Sequence, residues 1–132
     1  MRRLNAGCKP LVRPVLGLDG QTRVYIGTEP IDFRKQIDGV ALQVQEALAL
    51  DPYSTSLFVF RNRAGDKLKL LYWHHNGFVL VYKRLEKGRF KWPCTERDTT
   101  SVMMSLRELS YLLEGGDVAD LGEINVLHYA RV

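Results

Sequence analysis

The chain has 132 residues, 45% of them hydrophobic and 26% charged, a size and mix that fit one globular domain with a core and exclude a fibre or a disordered tail. Its net charge of +4 favours a polyanionic partner. No run approaches the roughly 18 apolar residues of a membrane span, and two cysteines, Cys8 and Cys94, are too few for a disulfide framework or a zinc site, so we expect a reducing, cytoplasmic location without metal or cofactor.

The chain begins with residues 1–22, which we expect to form a flexible extension because prolines, glycines and basic residues occur there without periodicity. A single domain is expected over residues 23–132. It starts with a short β-prone run at 23–26. From Ile37 to Leu48, apolar residues recur at helical spacing, and the helix is expected to end at Asp51, because the following proline disfavours the helical conformation there.

Three extended runs come next, over residues 57–61, 67–75 and 78–85. Asn76-Gly77 lies between the last two and is a strong signal for a two-residue type I′ turn, whose central residues both need positive φ. If these two residues form the loop, the numbers of cross-strand partners sum to 153, and Lys69 therefore faces Arg84.

This register gives the predicted hairpin two different sides. One side is apolar and should pack on the first helix; it carries Leu68, Leu70, Tyr72, Val79, Val81 and Leu85. The other side is aromatic and basic and should remain open. Residues 89–92 are expected to add an edge strand before Pro93.

The charge reverses after Pro93, with a balance of −4 over residues 98–132. Ser105 and Glu108 form a capping box that predicts a helix over 106–114, which two glycines end. The final segment, with Val126, Leu127 and Tyr129, fits either a short strand or an interaction segment. We therefore predict an α+β fold, a small antiparallel sheet of about four strands with two helices packed on one face.

Positive charge is concentrated between Arg61 and Lys91, where nine basic residues oppose two acids, a balance of +7. Such a local field attracts nucleic acid. The predicted phosphate contacts are Arg61, Arg63, Lys67, Lys69, Arg84, Lys87, Arg89 and Lys91, with Trp73 or Tyr82 stacking on a base or sugar. The alternative is a solvated sheet face whose lysines protect an exposed edge.

A second charged cluster precedes the first helix, where Arg34 and Lys35 lie between Asp32 and Asp38. In one interpretation the two basic residues bind phosphate; in the other, Asp32 caps the helix and the charges pair locally. A nuclease site would need a third carboxylate such as Asp66, and no spacing indicates one. We expect no catalytic residue.

Metal binding by the adjacent His74 and His75 is not expected, because neighbouring side chains on a strand point to opposite faces.

Five segments together resemble the TnpB-type accessory proteins of the bacterial insertion-sequence family number sixty-six, which share only a name with RNA-guided nucleases. The segments are Asp32–Gly39, Leu57–Lys69, Tyr72-Trp73 with Asn76-Gly77-Phe78, Tyr82–Pro93 and Leu112–Gly115. The resemblance covers about residues 23–117. It departs from the family at Gln36, where members usually have Gly, and at His74, where an acid is common.

The resemblance implies an accessory role in DNA transposition beside a separate transposase, with no established catalytic activity. The basic residues add the hypothesis that the protein binds transposon DNA, and no membrane is expected as a partner. One alternative is an adaptor that contacts only the transposase, and a further one is a metal-dependent nuclease. The sequence defines no oligomeric state.

Overall fold

A computed structural model describes residues 18, 20–93 and 99–121. Within these residues the chain forms five strands, two α-helices and a short 3-10 helix in an α+β arrangement, which confirms the predicted class with one more strand than expected. In chain order the elements are β1 (Arg23–Gly27), α1 (Ile37–Glu46), β2 (Ser56–Arg61), β3 (Lys67–His74), β4 (Gly77–Arg84), β5 (Ser101–Met104), α2 (Leu106–Leu113) and the 3-10 helix (Val118–Leu121).

The five strands form one sheet in the order β4-β3-β2-β1-β5. β1 and β2 are parallel and joined by α1, whereas the other neighbouring pairs are antiparallel. A parallel pair needs such a crossover, since its strands must start at the same end of the sheet. As a result, β1, β2 and β4 finish at the end of the sheet where β3 and β5 begin.

Both faces of the sheet are covered, which corrects the expectation that the two helices share one face. α1 packs on Phe58, Phe60 and Leu71, while α2 packs on the opposite face, which includes Leu57 and Leu70. The physical reason lies in β2, whose run of consecutive apolar residues is buried throughout. A strand without alternation is typical of a sheet covered on both sides.

The β3–β4 hairpin differs from the predicted register by two residues. Its loop is formed by His75, with φ of 53°, and Asn76, so that Trp73 pairs with Phe78 and Lys69 pairs with Tyr82. A shift of two keeps every side chain on its predicted side. The predicted sides are therefore correct, but their coverings are exchanged: the apolar side meets α2, and α1 packs on part of the side expected to be open.

Backbone conformation and capping define the ends of the two helices. α1 stops at Glu46, five residues before the predicted boundary at Asp51, because Ala49 adopts a positive φ of 56° beyond its last turn. Gln36 at its start has φ of −107°, so the residue that replaces the family's usual Gly is unstrained. In α2 the predicted capping box is confirmed, with the Glu108 backbone N–H donating to Ser105 Oγ at 3.1 Å.

At the sheet edge, one predicted strand is absent and one strand that was not predicted is present. Residues 89–92 form no strand, while β5, which the sequence did not indicate, pairs along β1 at the sheet edge. Most of the expected N-terminal extension lies outside the described residues, although Leu18 packs against the core. The tail segment around Val126 also lies outside them. None of the described helices has the length and apolarity to cross a membrane.

Candidate nucleic-acid interface

Three segments meet where β1, β2 and β4 finish, and we call this region the basic end: residues 28–36, 61–67 and 84–91. The Ile31 backbone N–H donates to the Arg61 carbonyl at 3.0 Å. The third segment is attached by Leu85 N–H to the Asp66 carbonyl at 2.8 Å and by Phe90 N–H to the Gly65 carbonyl at 2.9 Å. Backbone hydrogen bonds thus hold segments far apart in the chain at one end of the sheet.

The β2–β3 loop is organised by Asn62. Its Oδ1 accepts from the backbone N–H groups of Gly65 at 2.9 Å and Lys67 at 3.0 Å, and its Nδ2 donates to the Asp66 carboxylate at 2.8 Å. The hydrogen bond from Asn62 is the main reason that the pKa of Asp66 lies below its usual value. Gly65 completes the loop with φ of 81°. The loop therefore holds Arg63 and Lys67 on a defined backbone.

The structure brings most of the predicted basic residues together at this end. Exposed side chains belong to Arg34, Arg63, Arg84, Lys87, Arg89 and Lys91, and half-buried ones to Lys35, Arg61 and Lys67. The three segments together carry nine basic residues against Glu29, Asp32, Asp66 and Glu86, a balance of +5. A patch of this sign attracts a polyanion.

Arg34 is held by Asp32 in a two-pronged ion pair, with Nη2 to Oδ2 at 2.6 Å and Nε to Oδ2 at 3.0 Å. The side-chain hydrogen bond from Arg34 is the largest cause that lowers the pKa of Asp32 to about 2. Asp32 does not cap α1, whose first residue follows Gln36 without a side-chain cap. Local pairing is confirmed, and the Arg34 side chain remains 91% exposed, so phosphate can still reach it.

Arg61 lies deeper in the basic end than its neighbours. Its guanidinium sits over the Trp92 ring at 5.7 Å from the centroid, and Nη2 donates to the Thr28 carbonyl at 3.2 Å. The Trp92 indole N–H donates in turn to the Gly27 carbonyl at 2.9 Å. Arg61, at the end of β2, and Trp92, which directly follows the third segment, therefore both bind the backbone at the end of β1.

The structure removes Lys69 from the predicted set of phosphate contacts. Its side chain is completely buried, and Nζ donates to the carbonyls of Lys35 at 2.6 Å and Phe33 at 3.0 Å. The ammonium also lies near the rings of Phe33 and Tyr82, at 4.8 Å and 5.3 Å from their centroids. Burial is the main cause that lowers the pKa of Lys69. Lys69 therefore holds the loop before α1 in place through the carbonyls of Phe33 and Lys35.

The two candidate stacking residues lie in different places. Trp73 is half-buried between Tyr53 and Phe78, with ring centroids at 5.0 Å and 5.1 Å, and six strand residues, about 20 Å, separate it from Lys67. Tyr82 lies in β4, two residues before Arg84 of the basic end, and is 53% exposed. Only Tyr82 is therefore placed beside the exposed basic residues.

Sequence reasoning missed three residues that shape this region, namely Phe33, Asn62 and Trp92. Phe33 contacts the Tyr82 ring edge-on at 5.8 Å, and Trp92 supports Arg61. Both contacts join distant segments and leave no local signal. Asn62 did carry one, since an Asn before a glycine-containing loop commonly bonds backbone N–H groups ahead of it.

The carboxylates predicted as a possible nuclease set are engaged elsewhere, Asp32 with Arg34 and Asp66 with Asn62. Within residues 18, 20–93 and 99–121 no three His, Cys, Asp or Glu side chains come together to hold a metal ion. His74 and His75 do touch, with ring centroids at 4.5 Å, because His75 leaves the strand geometry on which their predicted separation depended.

Comparison with known proteins gives one family match and two similar curated relatives. A family model described as IS66 Orf2 like protein matches residues 22–123. The uncharacterized protein y4hO of Sinorhizobium fredii is 44% identical over 95 residues, covering 72% of this chain and 81% of the relative. The uncharacterized protein y4jC of the same organism is 36% identical over 107 residues, covering 81% and 86%. No solved structure matches the chain significantly.

Proposed function

The chain belongs to the IS66 Orf2-like family, and from this membership and the basic end we propose that it is a cytoplasmic accessory factor that binds the DNA of its insertion sequence. The family implies a role associated with transposition. DNA contact is the further step. We propose it without any catalytic activity of the chain itself, since no nucleophile, base and orienting group can be assigned among the described residues.

The observation that carries the proposal is the group of exposed cations at the basic end. Arg63 belongs to the segment 61–67, whereas Arg84 and Arg89 belong to the segment 84–91, and hydrogen bonds to the carbonyls of Gly65 and Asp66 join the two segments. Flexible Lys and Arg side chains on a fixed backbone are suited to phosphate, which they bind without reading sequence. We therefore expect strong dependence on salt and weak dependence on DNA sequence.

A second surface supports contact with the transposase. Glu114, Asp117 and Asp120 are exposed and follow the end of α2. They belong to the part of the sequence after Pro93, where acidic residues outnumber basic ones. We propose that this acidic surface meets a basic region of the transposase.

Fluorescence anisotropy of the full chain with labelled duplex DNA over a salt series tests DNA binding. We expect log affinity to fall linearly with log salt, with a slope near −0.9 for each phosphate contacted. Flat titrations at low salt, together with retained capture of the transposase, would instead identify the chain as an adaptor that contacts only protein.

A further inference from the structure

The Tyr82 side chain is exposed in a setting unlike that of an ordinary surface aromatic. It projects from β4, an edge strand, and is 53% accessible. The Phe33 ring meets it edge-on at an interplanar angle of 85°, and the buried Lys69 ammonium lies 5.3 Å from its centroid. The ring thus contacts Phe33 and Lys69, while the residue as a whole remains more than half accessible to solvent.

Cations lie beside this ring on the same face of the hairpin. Arg84 is two residues beyond Tyr82 along β4, about 7 Å away by strand geometry. Lys67 is the cross-strand partner of Arg84. Arg84 and Glu86 form an ion pair at 3.3 Å, and because both side chains are exposed the pair is weak. A nucleotide with its base on Tyr82 would place its backbone within reach of these two side chains.

A second exposed tyrosine, Tyr53, has different surroundings from Tyr82. Tyr53 is 58% accessible, but its ring packs against Trp73 and Phe78 at 5.0 Å and 5.1 Å. Its backbone N–H donates to the Asp51 carboxylate at 2.9 Å, so the adjacent charge is negative. The two tyrosines are therefore similarly exposed, but Tyr82 has cations beside it and Tyr53 has an acid.

We propose that the nucleic acid held at the basic end is an unpaired strand, with a base stacked on Tyr82 and the adjoining phosphates on Arg84 and Lys67. This inference rests on the proposed DNA binding and specifies its ligand. In a duplex, neighbouring base pairs cover the faces of each base, so the ring has nothing on which to stack. In an unpaired strand every base offers a π-face, and the stacking is tolerant of sequence.

The test is fluorescence anisotropy of the full chain with three labelled oligonucleotides of equal length: a single strand, the same strand with abasic residues, and a duplex. We expect the intact single strand to bind more tightly than the other two. Tyr82→Ala should weaken single-strand binding at least about fivefold, the lower end for one stacked base, while duplex and abasic binding stay unchanged.

Two variants serve as controls. Tyr82→Phe keeps the ring and should retain single-strand affinity. Tyr53→Ala removes an equally exposed tyrosine from the other end of the sheet and should change nothing. Because Tyr82 lies on an edge strand and is exposed, Tyr82→Ala should fold, which circular dichroism will check.

The outcomes separate this inference from the function on which it rests. Duplex binding as tight as single-strand binding, equal binding of intact and abasic strands, or an unaltered Tyr82→Ala variant would overturn the unpaired strand while leaving DNA binding in place. Absence of binding to all three oligonucleotides at low salt would overturn both.

Discussion

The basic end and the opposite end of the sheet, which we call the turn end, are built from the same five strands but differ in chemistry. The turn end carries the aromatic group of Tyr53, Trp73 and Phe78 beside the histidine pair at the β3–β4 loop. The basic end carries the exposed cations. Strand length separates two features that a linear sequence presents as one basic and aromatic stretch, so the stretch from 61 to 91 is not a single site.

The largest expected effect comes from reversing charge at the basic end. Arg84→Glu combined with Arg89→Glu should lower DNA affinity about a hundredfold, if each lost charged hydrogen bond contributes about 1.5 kcal/mol. The slope of log affinity against log salt should also become less steep by about two. Anisotropy titrations measure both quantities.

The matched control for this prediction is Arg23→Glu, which makes the same change at an exposed residue of the turn end. We expect it to have much less effect than either single reversal at the basic end. Equal losses from all three single variants would mean that net charge, and not its location, governs binding.

A second comparison lies within β3, where Lys67 and Lys69 share a face but differ in burial. Lys69→Met should lower the free energy of unfolding by about 2 kcal/mol, because the carbonyls of Phe33 and Lys35 lose their donor. Lys67→Met should leave stability nearly unchanged and weaken DNA binding instead. Urea denaturation and anisotropy on both variants measure the two effects, and similar stability losses would contradict the structural role of Lys69.

The pH dependence of stability should distinguish the buried lysine further. Burial lowers the pKa of Lys69 from its usual 10.5, so between the folded and unfolded values the unfolded chain binds more protons and stability rises with pH. The advantage of the wild type over Lys69→Met should therefore grow as pH approaches 10.5. Burial raises the pKa of Tyr72, which has the opposite effect, but both proteins share it and the difference cancels it.

The smallest effect is expected from removing an acid. Asp32→Asn deletes a negative charge and releases Arg34, and should raise DNA affinity about two- to threefold, as suits an exposed pair. Asp51→Asn at the turn end should have no effect. Since the pKa of Asp32 is about 2, acidifying to pH 4 will not imitate the substitution. An unchanged affinity for Asp32→Asn would indicate that Arg34 does not contact DNA.

Local patterns predicted the elements well. Helical spacing located α1 and α2, the capping box at Ser105 and Glu108 is present as predicted, and strand signals located four of the five strands. β5 was missed because its four residues include two methionines, a single β-branched residue, Val102, and no aromatic residue. The covering of the sheet was misassigned because the uninterrupted apolar run of β2 was not interpreted as a strand buried on both sides.

The sequence was sufficient to predict which basic residues form the candidate site, but not which of them are exposed or what they contact. Most cations assigned from the sequence are exposed at one end of the sheet. Lys69 was misassigned because its partners, the carbonyls of Phe33 and Lys35, are brought to it by the crossover through α1. Pairings between distant segments, such as Phe33 with Tyr82, follow from tertiary contact alone.

The most direct test of the basic end is amide chemical-shift mapping by NMR on titration with DNA. We predict that perturbations concentrate in residues 33–35, 61–67 and 82–91 and leave the turn end around Tyr53 and Trp73 unaffected. Perturbations centred on the turn end or on α2 would contradict the assignment of DNA binding to the basic end.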